Sequence, residues 1–258
     1  MMSQLNIIGR CGLHSICKSP SVLSLLCLLG SAIMHQKLLA DDPDLVSEKS
    51  VLFDGQLTGE WECREGAWVA DSDGSLTCQM EEVTQKNGEK RKRGMGYIWT
   101  QSEYSDFVLE FEYKLSHAAN SGVFFRTDPG NPVQGGFEIQ LLDEIGVRES
   151  GGTLAAKKRH VAFYDCQAPS KQGVVHHGQW NQLRLTCRGS LIRVELNGEM
   201  VNQFDLRQWQ EPGKNPDGTE NKFKDALAKR PASGRIGFQN HGKPVWFRKI
   251  SVIDLSQS

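Results

Sequence analysis

The sequence predicts an all-β protein, an antiparallel sandwich or barrel, on three observations. From residue 51 onward apolar residues recur mostly at every second position, the period of a half-buried strand. Roughly a dozen such runs are short and are separated by Gly, Asn, Asp and Pro turn signals. Helical periodicity is scarce, and no repeat of about 20–50 residues suggests a propeller or solenoid.

Short strands are expected at 51–53, 67–70, 75–79, 97–100 and 122–126. The clearest alternation is Phe107, Leu109, Phe111, Tyr113 and Leu115 against Val108, Glu110, Glu112 and Lys114. Phe137, Ile139 and Leu141 alternate with Glu138, Gln140 and Leu142. Leu183, Leu185 and Cys187 repeat the pattern, followed by Ile192, Val194 and Leu196 and then Asn197-Gly198, a two-residue hairpin signal. Residues 200–204 are the returning strand. Ile236 and Phe238 mark another, and 245–253 the last. Residues 84–94, polar and basic, and 210–221, rich in Pro, Gly and Asn, read as loops. Residues 222–229 read as a helical turn or two, stopped by Pro231.

A chain of 258 residues suits one sandwich preceded by a leader. Residues 1–40 hold Arg10, Lys18 and Lys37 and no acid, with an apolar run at 22–33. This is the pattern of a signal peptide, with cleavage after Ala32 or Ala40. The run is short for a membrane span, which needs about 20 apolar residues, so an uncleaved anchor is the lesser alternative. Cys27 lacks the small preceding residue that a lipid anchor wants. The expected mature domain is 41–258, periplasmic or secreted, with no membrane span after cleavage. Removing 1–40 leaves 27 basic against 31 acidic residues, so nucleic acid is not an expected partner. It also reduces seven cysteines to four: Cys63, Cys78, Cys166 and Cys187. These permit disulfides, Cys63–Cys78 being the best local pair, or remain buried thiols.

On a sandwich strand the residues alternating with the core share an outer face. Glu138 and Gln140 are two apart there, with Asp143 just past the strand end. Gln239 and His241 are also two apart, Arg126 shares a face with Phe124 by parity, and Tyr164 sits in a short Phe-Tyr-Asp stretch. Dinucleotide, Walker, nucleophile-elbow and zincin motifs are absent from the sequence. Glu138 and Asp143 are too far apart along an extended strand, roughly 16–17 Å, for a conventional glycosidase pair. His160 and the adjacent His176 and His177 read as polar loop residues. Trp61, Trp99, Trp180, Trp209 and Trp246 read as core or core rim, with sugar stacking as the alternative.

At these residues the chain resembles the 3-keto-disaccharide hydrolase family, also described as 3-keto-glucoside 1,2-lyase and 3-keto-2-hydroxy-glucal hydratase domains. Seven segments carry the likeness in the family's order. They are LFDGQLTGEW (52–61), GYIWTQSEYSDFVLEFEYKL (96–115), NSGVFFR (120–126), GFEIQLLD (136–143), AFYDCQAPSKQ (162–172), GQWNQLRLTCRGSLIRVELNGEMV (178–201) and GRIGFQNHGKPVWFRKISV (234–252). One departure stands out: Gln239-Asn240-His241 occupies a segment that in the family often reads Gln-Asp-His, so an acid that would orient the histidine is an amide here.

The resemblance implies a concanavalin A-like jelly roll of two antiparallel sheets. It also implies a glycoside already oxidised to a ketone at C3 by a separate sugar oxidoreductase. Such a ketone acidifies the C2 proton, and the glycosidic oxygen at C1 then leaves by elimination. Water adds to the resulting 3-keto-2-hydroxyglycal. This chemistry asks for a base, a cation or donor for the enolate oxygen, and an acid for the leaving oxygen. We expect Glu138 and His241 as the proton-transfer pair and Arg126 as the enolate or hydroxyl binder. Gln140, Asp143, Tyr164 and Gln239 would hold hydroxyls. A divalent metal on Glu138, His241 or Asp143 is the alternative enolate stabiliser. Two other readings stay open: a non-catalytic lectin-type module, and a conventional glucanase using Glu110 and Glu112, although these two are expected on a solvated face.

Overall fold

A computed structural model describes residues 48–256. The expected signal peptide and Cys27 lie outside the described residues. The strands are β1 (Lys49–Phe53), β2 (Trp61–Cys63), β3 (Trp68–Ala70), β4 (Leu76–Cys78), β5 (Met80–Thr84), β6 (Lys90–Gly94), β7 (Ile98–Tyr104), β8 (Phe107–Leu115), β9 (Asn120–Thr127) and β10 (Phe137–Leu142). After helix α1 (Glu144–Glu149) come β11 (Asn181–Arg188), β12 (Leu191–Leu196), β13 (Glu199–Asp205), β14 (Gly234–Phe238) and β15 (Val245–Asp254).

The strands form two packed antiparallel sheets, a jelly-roll sandwich. The larger has the order β13-β12-β11-β8-β15-β4-β3, with β1 also paired to β15, and the smaller has the order β10-β9-β14-β7-β2. The alternation on β8 explains the packing. Phe107, Leu109, Phe111, Tyr113 and Leu115 point inward and are buried. Glu110 and Glu112 point out, where they pair with Arg184 (2.8 Å) and Arg248 (2.6 Å). The sheets meet through aromatics: Phe238 of β14 stacks on Phe247 of β15 at 4.2 Å and meets Phe111 at 5.1 Å. Asn197 and Gly198 both take positive φ (51° and 81°), as a tight hairpin with the right twist requires.

Three local expectations are corrected. Residues 84–94 are largely not a loop: with 80–83 they build the hairpin β5–β6. Its strands are held by charge pairs, Arg93–Glu81 (2.9 Å) and Lys90–Glu82 (2.8 Å), not by apolar alternation. The Asn87-Gly88 turn was its only sequence signal. Residues 222–229 are not a helix; only Leu227–Lys229 makes a 3₁₀ turn, because side chains of two other loops take up the backbone groups of Lys222 that a helix would need. The four cysteines are free thiols; Cys63 and Cys78 sit in different sheets and do not pair.

His160, expected as a polar loop residue, belongs to the interior. It is buried, its Nδ1 accepting from the Leu142 amide (3.0 Å) and its Nε2 lying 2.6 Å from the Tyr113 hydroxyl. Burial pushes its pKa down to about 4, against the attraction of Glu144 and Asp143. A folded pKa below the unfolded value of about 6.5 means that the unfolded chain takes up the proton first. The contribution of His160 to stability is therefore full above pH 6.5 and falls as the pH drops toward 4. We expect His160→Gln to gain about 2 kcal/mol of stability relative to wild type between pH 7 and pH 5, read from urea unfolding of both proteins. An unchanged difference between the two proteins would reject this origin.

Candidate active site

The outer face of the small sheet gathers the polar residues. Gly237 of β14 lies between Trp99 of β7 and Phe124 of β9 in register, and Phe124 faces Glu138 of β10. Gly237 is glycine for a steric reason: a Cβ there would lie 2.3 Å from the Trp99 ring. Trp99 thus lies flat over the strand and stacks on Phe124 at 5.1 Å, with Tyr97 at 5.5 Å from Phe124. These rings make an aromatic floor beside the carboxylate.

One step along the strands, Gly122 pairs with Gln140, and the Gln239 amide donates to the Gly122 carbonyl (3.0 Å). A Cβ on Gly122 would lie 2.7 Å from Glu138 Oε1 and 3.1 Å from Gln239 Cδ, so Glu138 and Gln239 meet above this glycine. The Gln239 side chain hydrogen-bonds Glu138. Its Oε1 lies 2.7 Å from His241 Nε2; an amide oxygen only accepts, so Nε2 carries the proton and Nδ1 is the free nitrogen. Gln140 completes the row. With its amide nitrogen turned toward two acceptors it donates to Ser121 O (2.9 Å) and Glu138 Oε1 (3.2 Å). Glu138 is 8% exposed, and burial pushes its pKa up to about 7, against the pull of the Lys222 charge and the Gln239 hydrogen bond. A carboxyl that changes protonation near neutrality suits proton transfer. Burial and the Lys222 charge hold His241 below the usual histidine value.

The segment after β10 returns along its free edge. Val161 donates to Gln140 O (2.8 Å) and Tyr164 to Glu138 O (3.0 Å), which sets Tyr164 beside Glu138. The Tyr164 ring carries the Lys222 ammonium at 4.1 Å. Lys222 is the residue that the sequence reading missed. It lies in an irregular segment with no motif, and two distant side chains place it there. Asp165 Oδ2 accepts from the Lys222 amide (2.8 Å), while Gln134 donates to the Lys222 carbonyl (3.1 Å) and accepts from the Lys224 amide (3.0 Å).

Two expected site residues are elsewhere. Arg126 has φ 47°, and two residues of β9, Phe125 and Arg126, oppose the single Ile236 of β14. This bulge breaks the alternation and turns Arg126 away from the face of Phe124. Its guanidinium is buried against Ser105 O (2.7 Å), Gly189 O (2.7 Å) and Asp106 Oδ1 (3.0 Å). Asp143 caps α1: Oδ2 accepts from the Ala118 (2.8 Å) and Gly146 (3.2 Å) amides, and Oδ1 meets His177 Nδ1 (3.2 Å). Both are structural pins. Glu138, Gln140, Tyr164, Gln239 and His241 do come together.

Asn240 does not orient His241 either. Its amide donates to Gln79 O (2.7 Å) and accepts from Gly242 N (2.9 Å), tying the turn to the hairpin base. The orienting role belongs to Gln239. Among the described residues no three His, Cys, Asp or Glu side chains converge as a metal cluster, and Asp143 is engaged away from Glu138 and His241. Glu110 and Glu112 lie on the outer face of the opposite sheet, where cations more than offset burial and hold both carboxyls low. A cavity of about 380 Å³ lined by Leu142, Ile145, Arg159, Val175 and Leu196 contains none of Glu138, Lys222, Gln239 and His241. Its arginines, Arg148 and Arg159, are already paired with Glu144.

Comparison with known proteins agrees with this fold. A Bacteroides thetaiotaomicron protein named 3-keto-disaccharide hydrolase is 25% identical over 185 residues, covering 64% of this chain and 64% of that protein. The chain thus spans about two thirds of the length of the curated relative that it matches. A Parabacteroides distasonis protein assigned as a glycosyl hydrolase superposes with a TM-score of 0.68 at 29% identity, over 81% of this chain and all of that one. A second such protein from the same organism, 21% identical, has a TM-score of 0.62 over 83% of this chain and 97% of that chain, and shares the fold. Residues 48–253 match the profile of the 3-keto-alpha-glucoside-1,2-lyase-like domain, and the chain belongs to that family.

Proposed function

We propose that this chain cleaves 3-keto-glycosides by elimination and then hydrates the product. The observation that carries the reading is the Glu138 carboxyl, buried on an aromatic-floored face and poised near neutrality beside a lysine. The sugar ring lies against the open side of the Tyr97 and Trp99 rings, which Phe124 backs from below and whose aromatic carbon suits the C–H surface of a pyranose. Glu138 takes the C2 proton. Lys222 replaces Arg126 as the positive charge for the oxygen at C3, where negative charge develops. His241 acts in its doubly protonated form: Nε2–H stays on Gln239, the Nδ1 proton goes to the leaving oxygen, and Nδ1 regains a proton from the water that adds at C1. Glu138 returns its proton to C2. Gln140 and Tyr164 hold the carboxylate and the ring hydroxyls.

The chain is also read as exported through residues 1–40, with a sugar C3 oxidoreductase supplying its substrate. N-terminal sequencing of the mature protein tests the first statement. Incubation with methyl 3-keto-glucoside in heavy water, followed by NMR, tests the reaction. The expected result is deuterium at C2 together with a glycal or free 3-keto sugar. Binding without product would favour the lectin-type module instead.

A further inference from the structure

Lys222 has surroundings unlike those of its neighbours. Lys157 is tied to Asp217 at 2.7 Å and Lys214 to Glu211 at 2.7 Å. The Lys222 ammonium makes no ion pair or hydrogen bond among the described residues; it lies between two rings, at 4.1 Å from the centre of Tyr164 and 5.4 Å from that of Phe223. Its backbone is nevertheless held on both sides, by Asp165 at the amide and by Gln134 at the carbonyl. A fixed stem carrying an amine in no direct ion pair, walled by aromatic carbon, is a setting in which lysine acts as a nucleophile. Burial supports this by holding Lys222 below the usual lysine range, against the charges of Glu138 and Asp165. The substrate read above brings a ketone to the same face.

We propose that Lys222 is a covalent catalyst that condenses with the C3 ketone to form an iminium. The inference rests on the 3-keto-glycoside reading. Glu138 first takes a proton from the Lys222 ammonium, and the freed amine attacks C3, forming the C–N bond as the carbonyl π pair moves to oxygen. That oxygen takes the proton back from Glu138 and leaves as water with a second proton from nitrogen. Ammonium and ketone thus become iminium and water, with charge conserved. The iminium is a stronger electron sink than the ketone, so Glu138, again ionised, removes the C2 proton to give an enamine. The enamine pair then expels the C1 oxygen, which His241 protonates. Water hydrolyses the conjugated iminium, releasing the 3-keto-2-hydroxyglycal and restoring Lys222.

The test traps the iminium. The full chain is incubated with methyl 3-keto-glucoside and cyanoborohydride at neutral pH, and its intact mass and peptides are measured. The expected result is one reduced sugar adduct per chain, localised to Lys222 by fragmentation. Lys222→Arg keeps the positive charge but cannot form the iminium; it should show no adduct and lose at least about 100-fold in kcat. Lys222→Ala, checked for folding by circular dichroism, should likewise give no adduct. An untrapped wild-type chain whose Lys222→Arg variant turns over within threefold of it overturns the covalent step and leaves the elimination reading standing. A wild-type chain that produces neither glycal nor 3-keto sugar overturns the underlying reading itself.

Discussion

Glu138→Gln should cost about 10²–10⁴-fold in kcat on a 3-keto-glycoside and should also make the protein more stable at alkaline pH. Both effects come from the same burial. Glutamine keeps the shape and the contact with Gln239 but cannot take the C2 proton. The stability effect follows from linkage. The folded pKa of about 7 lies above the unfolded value of about 4.5, so between these values the folded state holds the extra proton. The stability that this group contributes is therefore greatest below pH 4.5 and is lost as the pH rises through 7. Above 7 the wild type carries the whole cost of a buried carboxylate, about 3 kcal/mol for that difference. The variant escapes it, so its Tm should exceed the wild-type value at pH 8 and nearly equal it at pH 5. This is the trade of stability for function expected of a working carboxylate. Scanning calorimetry and kcat at both pH values decide the matter. A Tm difference that does not change with pH would remove the claim that burial tunes this group.

Arg126→Met should do the reverse, lowering stability by about 3 kcal/mol while leaving kcat per folded molecule within threefold of wild type. The guanidinium joins the 105–106 turn to the 188–189 turn through Ser105 O, Asp106 Oδ1 and Gly189 O, and its side chain is 2% exposed. Truncation leaves two carbonyls and a carboxylate short of a donor. Asp106 is partly exposed and regains water, which keeps the cost at the lower end for such pairs. Urea unfolding and turnover normalised to folded protein separate the two quantities. A large kcat loss in a stable variant would return Arg126 to the site.

What the sequence revealed follows from what period two can report. On β8 and β10 every second residue meets the same side of a regular strand, so the core and the placing of Glu138 and Gln140 together on one outer face were legible. Parity fails where the ladder is irregular. Arg126 was counted onto the groove because the bulge against Ile236 depends on the register with β14, more than a hundred residues away in the chain. Lys222 had no periodic signal at all, since its place is set by Asp165 and Gln134 on other loops. Asp143 was misplaced although its signal was present: an Asp directly before Glu144 is a helix cap. The β5–β6 hairpin escaped notice because opposite charges, not apolar residues, face each other across it.

Trp99 on its glycine seat has a practical consequence. Its indole is the floor of the candidate sugar platform, whereas Trp61, Trp68 and Trp209 belong to the core, and Trp180 and Trp246 lie against Lys114 on the other sheet. A ligand that stacks there should change one indole's emission and leave the other five as a constant background. The protein thus contains its own optical reporter, able to register occupancy before any bond is broken.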